Sequence, residues 1–171
     1  MFETALRASI VLVLALVAAS APARAQTVSK ITSIGGWALY ADGETKHAFC
    51  FITSEPKSSA PPGASRDAPR LYISSWPKDG VKTEISFRMG FPVKKDTEAT
   101  AKIDAATFKL FGSGDRVYVQ DGGQELKLVE AMRKGVSLSI EATSERGTVV
   151  TDTYGLAGLG QALENLQKVC F

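Results

Sequence analysis

The chain has 171 residues, with 20 Lys+Arg against 18 Asp+Glu and a formal net charge of +2. A balance so near neutral supplies no electrostatic case for nucleic acid as a partner. Two cysteines and one histidine are too few for a Cys/His zinc site, whose ligands come as several residues in close local pairs.

The first 25 residues read as an export signal. Arg7 precedes an unbroken apolar run from Ile10 to Ala19, and Ala23-Arg24-Ala25 then supplies the small-x-small pattern that a signal peptidase recognises. Counted from Ala8, the run is about 12 residues, short of the roughly 20 helical residues that span a bilayer. The mature chain is therefore expected to start at Gln26 and to form one domain over residues 26–171. It is expected in the periplasm, with outer-membrane association or secretion as the other destinations. Losing Glu3, Arg7 and Arg24 leaves 18 basic and 17 acidic side chains, still near neutral. The mature part holds no second apolar run of membrane-spanning length. Export also changes what Cys50 and Cys170 mean, because an even cysteine count in an oxidising compartment points to a disulfide. That bridge would close a loop of roughly 120 residues, worth up to about 5 kcal/mol in the chain-entropy model.

Along the mature chain, period-two patterns dominate. Strands are expected over 36–41, 47–53 and 70–76. The next runs over 81–89, where Val81, Thr83, Ile85, Phe87 and Met89 alternate with Lys82, Glu84, Ser86 and Arg88. Further strands are expected over 107–111, 116–120, 136–143 and 148–154. Turn signals separate them at Asp42-Gly43, Asp79-Gly80, Gly112–Asp115 and Arg146-Gly147. Residues 124–134 switch to helical spacing and stop at Gly135. Residues 160–169 do the same, with Leu163, Leu166 and Cys170 on one face. The stretch 55–69, with Pro56, Pro61, Pro62, Gly63 and Pro69, cannot form a central strand and is expected as an exposed loop. Many short strands with two short helices make a mainly β, antiparallel sandwich with helical additions.

Candidate chemistry is sparse. Gly155-Leu-Ala-Gly158-Leu-Gly160 follows a strand and opens a helix, but its order is not G-x-G-x-x-G. It reads as a turn with close packing, and no cofactor is expected. His47, the lone histidine, shares a strand face with Phe49 and Phe51, and no G-x-S-x-G elbow offers it a nucleophile. No catalytic constellation follows. Asp115 and Asp121, the nearest carboxylates for a metal, flank a strand and define no metal site. Asp152, inside Thr151-Asp-Thr-Tyr154, is expected to accept backbone N–H bonds from the turn or the helix start, with ligand contact as the alternative. Trp37, Trp76 and Tyr154 read as core or sheet-face aromatics. Asp152, Tyr154 and Trp76 are the candidates for ligand or partner contact.

Taken together, several segments resemble the invasion-associated locus B family. They are Gly36-Trp37, Cys50, Ser54-Glu-Pro-Lys57, Gly80–Ser86, Gly90–Lys94, Leu128–Gly135, Ser144–Thr148, Thr151–Gly158, Ala162-Leu163 and Cys170. The resemblance covers nearly all of the mature chain. It implies an exported protein of Gram-negative bacteria with an immunoglobulin-like β-sandwich and a Cys50–Cys170 bridge. Some members carry another cysteine where this chain has Ala41, so their extra bridge is absent. The family is named for host-cell invasion but also occurs in free-living bacteria, so that role is not carried over by name. It supplies no catalytic residues. The expectation is a non-enzymatic envelope binding module, with an envelope or host protein as partner. The competing readings are a carrier or sensor of a small apolar ligand held between sandwich and helices, and a periplasmic hydrolase.

Overall fold

The computed structural model describes residues 27–43 and 47–171; the segment expected as the export signal lies outside the described residues. Eleven strands and two helices follow in chain order. The strands before the first helix are β1 (Val28–Ile34), β2 (Trp37–Asp42), β3 (Cys50–Ser54), β4 (Ser58–Ala60), β5 (Arg70–Trp76), β6 (Val81–Arg88), β7 (Ala99–Ile103), β8 (Ala106–Ser113) and β9 (Arg116–Val119). Then come α1 (Gly122–Lys134), β10 (Ser137–Thr143), β11 (Val149–Gly155) and α2 (Leu159–Cys170).

Every strand pair is antiparallel, in the order β1-β2-β3-β5-β6-β9-β8-β7-β10-β11-β4. A twisted sheet of this many strands curls rather than stays flat. Its two halves turn their inner faces toward each other, so that the Phe87 and Tyr154 rings lie 6.3 Å apart across the core. The expected mainly β sandwich with two short helices is therefore present. Its two layers are halves of one hydrogen-bonded sheet, joined where β6 pairs with β9 over Ser86–Arg88.

The alternation seen in the sequence explains the layering. On β6, Ile85 and Phe87 are buried, as is Met89 just beyond it, and on β10 so are Leu138, Ile140 and Ala142. Helix α2 lies across the inner face of β2, β3 and β5. It buries Leu159, Ala162, Leu163, Leu166 and Cys170 there. Cys170 bonds Cys50 of β3 at a Cα–Cα distance of 6.1 Å. Helix α1 starts at Asp121, whose carboxylate accepts the Gln124 N–H at 2.9 Å, and ends on Arg133 and Lys134, cations that suit a helix C-terminus. Its Glu125 accepts the Ile85 N–H, covering the part of β6 beyond the reach of β9. Burial pushes the Glu125 carboxyl up, the Ile85 bond partly opposes the rise, and the Glu84 charge adds to it.

Three strands were not among those expected. β1 is exposed along nearly its whole length and is held by backbone pairing to β2. β7 turns Ala99, Ala101 and Ile103 inward, and small alanines give little hydrophobic signal. β4 is three residues of the proline-rich stretch, paired to β11 at the sheet edge, where such a sequence is tolerated. His47 differs the other way: it precedes β3 in a loop rather than lying on the strand.

Candidate binding surface

The inner seam of the fold consumes one set of charges. On β11 the buried residues are Val150, Asp152 and Tyr154, so period two turns the Asp152 carboxylate into the core. The proline-rich loop answers with Arg66, whose side chain is 5 % exposed. Arg66 Nη1 donates to Asp152 Oδ2 at 2.8 Å and to the Met89 carbonyl at 2.7 Å. Its Nη2 donates to Asp152 Oδ1 and, at 3.0 Å, to the Ser59 hydroxyl, which itself donates to Asp152 Oδ1 at 2.6 Å. The Phe91 ring lies 5.8 Å from the guanidinium. Gly90 permits this loop its path. Its φ is +76°, and a Cβ there would sit 2.0 Å from the Asp67 carbonyl oxygen.

Asp152 therefore does not cap the following turn as expected; its oxygens are taken by Arg66 and Ser59. The reason is the strand's period, which points the side chain away from the turn. Helix α2 begins instead at Gly158, with φ +83° and no side-chain cap. The glycine run is a packing turn: a Cβ on Gly158 would touch the Ile34 carbonyl, and one on Gly35 the Ala157 carbonyl. Tyr154 is also fully buried, and its hydroxyl has no hydrogen-bond partner. Burial, reinforced by the Asp152 charge, pushes its phenol far above the ordinary range. Of the three contact candidates, only Trp76 lies half-buried, against Phe49 at 4.2 Å.

His47 Nδ1 meets Asp42 Oδ1 at 2.8 Å, and the Ala48 N–H donates to the other Asp42 oxygen at 2.9 Å. Burial would raise the Asp42 carboxyl, but these bonds and the His47 charge hold it below its usual value. Among the described residues no hydroxyl or thiol hydrogen-bonds the His47 ring. Asp115 pairs with Arg88 at 3.1 Å, and Asp121 caps α1. Among the described residues no three His, Cys, Asp or Glu side chains converge as metal ligands would.

The outer face of β2, β3, β5, β6, β9 and β8 is a different surface. Cross-strand register aligns Arg70, Arg88 and Arg116 in one row on β5, β6 and β9. A second row runs Ala38, Thr53, Tyr72, Ser86, Tyr118, Phe111. A third holds Lys30, Tyr40, Phe51 and Ser74. The rings lie in clusters along it: Tyr40 stacks on Phe51 at 5.0 Å, Phe51 meets Phe49 at 5.3 Å and Tyr72 at 5.7 Å, and Phe111 stacks on Tyr118 at 5.6 Å. Arg116 lies 4.8 Å over the Tyr72 ring and donates to the Ser86 hydroxyl at 3.2 Å. Arg70 pairs with Glu55 at 2.5 Å, and Arg88 with Asp67 at 2.9 Å and Asp115. Hydrogen bonding to Asp115 is the main reason the Arg88 guanidinium is held more firmly protonated than usual. The rings other than Phe111 are half-buried, and Phe111 is 47 % exposed.

Of the contact candidates read from the sequence, Trp76 belongs to this face through its stack on Phe49; the arginine row and the other rings were not singled out. The usable signal was the polar half of each alternation. Arg70, Tyr72, Arg88, Arg116 and Tyr118 all occupy positions that the core pattern assigns to solvent.

Concavities open on the surface of the described residues, and two of them bear on recognition. One, of about 360 Å³, lies at a corner of the outer face and is lined by Lys30, Tyr40, Thr53, Glu55, Lys57 and Arg70, among others. The Gly36-Trp37 and Ser54–Lys57 segments meet there. A Cβ on Gly36 would lie 3.6 Å from Lys57 Nζ, and one on Gly155 would lie 3.4 Å from Lys57 Cε, so the lysine side chain runs alongside both glycines at ordinary contact distance. Thr53 is 4 % exposed, and its Oγ1 is buried without a hydrogen-bond partner. The second, of about 540 Å³, lies between the proline loop, Phe91-Pro92 and the hairpin at 144–148. The space between sheet and helices is occupied by core side chains, including Leu128, Met132, Leu163 and Leu166.

A curled antiparallel sheet, closed on its inner side by two helices and stapled through its C-terminal helix, defines the fold class. The chain shares that fold with a solved protein, invasion associated protein B from Bartonella henselae. The TM-score is 0.57 at 18 % identity, over 81 % of this chain and 96 % of that one. The resemblance read from the segments is thus met at the level of structure. No protein-family model matches the chain, and no curated protein does.

Proposed function

We propose that the protein is a non-enzymatic binding module, exported to the periplasm or envelope, that recognises its partner with the outer face of its sheet. The observation that carries this reading is the run of half-exposed rings bordered by Arg70, Arg88 and Arg116. Rigid aromatic area next to planar cations concentrates binding energy at low conformational cost. The tightly packed interior supports surface recognition over a buried apolar ligand. The His47–Asp42 pair, with no adjoining nucleophile, supports a structural rather than a catalytic histidine. The solved neighbour's name ties that protein to invasion, which makes a host or envelope surface the natural place to seek the partner.

The test is adsorption of purified mature protein to isolated envelope from its own cell. A Tyr72→Ser, Arg116→Ser, Tyr118→Ser variant should lose adsorption while keeping its circular dichroism. Leu126→Ser, on the exposed side of α1, should leave adsorption unchanged. A triple variant that binds like wild type sinks the assignment of this face. Mass spectrometry should find a mature chain that starts at Gln26, and retention of residues 1–25 would contradict export with cleavage. Turnover of any substrate that His47→Ala abolishes in a folded protein would overturn the non-enzymatic reading.

A further inference from the structure

Resting on the reading of the outer face as the binding surface, we propose that this face takes an acidic saccharide. Its acid group enters the corner of Lys30, Lys57, Arg70 and Thr53, and its rings lie on Tyr40, Phe51 and Tyr72.

Three observations converge. The corner is a concavity of about 360 Å³ in which three cations face one carboxylate, Glu55, itself paired with Arg70. Among the described residues Lys30 and Lys57 have no acidic partner within 4.0 Å. The corner therefore has a net positive charge to offer an anion. Thr53 lines the corner, and the Thr53 hydroxyl is buried there without a partner. A buried hydroxyl without a hydrogen bond is costly, and an oxygen acceptor placed above it would relieve that cost. Lys57 is exposed, and its backbone is anchored to β11. The Lys57 N–H donates to the Thr153 carbonyl at 2.7 Å, and the side chain runs past Gly155 toward Gly36.

The surroundings decide what carries the acid. A sugar ring has a flat C–H face and a rim of hydroxyls that both donate and accept. The outer face offers the matching pair: the uncovered sides of the half-buried Tyr40, Phe51 and Tyr72 rings for the C–H face, and ion pairs Arg70–Glu55 and Arg88–Asp115 whose free edges donate and accept at the rim. A nucleic acid also stacks on sheet aromatics, but it brings a phosphate with every base and needs a uniformly positive groove. Here Glu55, Asp67, Asp115 and Glu84 share the face with the cations, so a continuous polyanion meets repulsion. A chain with intermittent acid groups does not.

The experiment is calorimetric titration of the mature protein with hexagalacturonate and with a heparin hexasaccharide, the first carrying carboxylates and the second sulfates as well. Methyl-esterified hexagalacturonate is the neutral control. At least one acidic probe should bind, and esterification should weaken the hexagalacturonate interaction at least tenfold if that is the ligand that binds. Lys57→Met keeps the stem on Gly36 and Gly155 and should weaken acidic binding about tenfold. Thr53→Val should weaken it severalfold while leaving the melting temperature equal or higher, an outcome a merely structural threonine would not produce. Tyr72→Ala should weaken acidic and neutral probes alike. No binding of either acidic probe at millimolar concentration overturns the proposal, as does indifference to Lys57→Met. Tighter binding of a hexauridylate, with Tyr72 needed, overturns it in favour of nucleic acid. If envelope adsorption falls with the Tyr72, Arg116 and Tyr118 changes but not with Lys57→Met, the face survives as the binding surface and the acidic saccharide does not.

Discussion

Arginine is used in two opposite ways in this domain. Arg66 reaches from a loop into the core, where its guanidinium is matched by Asp152, Ser59 and the Met89 carbonyl. Arg70, Arg88 and Arg116 stand on the outer face, and the first two are a third exposed where they meet Glu55, Asp67 and Asp115. The difference is one of desolvation. A buried pair has surrendered its water and loses heavily when one member is removed. An exposed pair keeps its water and costs little to separate. The first kind holds a loop in place and is unavailable for exchange; the second can trade one partner for another and suits recognition.

The comparison breaks most visibly at Arg66. Arg66→Ala should destabilise the domain by about 3–5 kcal/mol in denaturant unfolding, because the Asp152 charge is left buried with only the Ser59 hydroxyl as partner. Replacing both, as Arg66→Met with Asp152→Leu, should recover a large part of that loss. A cost below about 1 kcal/mol for the single change would show that the seam is not sealed. The covalent staple gives the next largest effect. Cys170→Ser should cost roughly 2–5 kcal/mol, with hydrogen exchange rising first in α2, the element whose covalent hold on β3 is lost. A smaller effect tests the polar atom beside the buried pair. Tyr154→Phe removes a hydroxyl without a partner and should be neutral or stabilising by up to about 1 kcal/mol. It also has a pH signature. The folded phenol ionises later than an unfolded one, so wild-type stability falls as pH rises above about 10. The Phe variant should lose that part of the slope in alkaline denaturation curves. Smallest of all, Glu55→Gln separates the exposed pair with Arg70 and should shift stability by less than about 1 kcal/mol. A larger loss would mean that the outer-face pairs are locked in place like the inner seam and cannot exchange partners.

How much of this was readable before the fold depends on where each signal is local. β6 and β10 were legible because charged or polar residues alternate with apolar ones, and both helices because Leu128–Met132 and Leu163–Cys170 keep one face apolar. The disulfide followed from only two cysteines in a chain read as exported. β1 and β7 were not legible: β1 buries almost nothing, and β7 buries mostly alanines. Asp152 could be placed on the inner side from Val150 and Tyr154 alone. Its partner, 86 residues away in a proline-rich loop, could not be found by any local pattern. The outer face failed for a related reason. Arg70, Arg88 and Arg116 are far apart in sequence and become a row only through the pairing register.

The Cys50–Cys170 bond has a consequence for a protein pulled from its ends. Tension applied between residue 28 and the C-terminus passes through that bond and bypasses the 120-residue span between the two cysteines. Only β1, β2 and the chain up to β3 can be peeled away, roughly 80 Å of extended backbone at the usual reach per residue. Phe51, Thr53, Tyr72, Arg88 and Tyr118 lie inside the bypassed loop, while Lys30 and Tyr40 lie outside it. Under load the greater part of the outer face stays folded and its far edge yields first. Single-molecule stretching should show a short contour gain in oxidising buffer and a several-fold longer one after reduction.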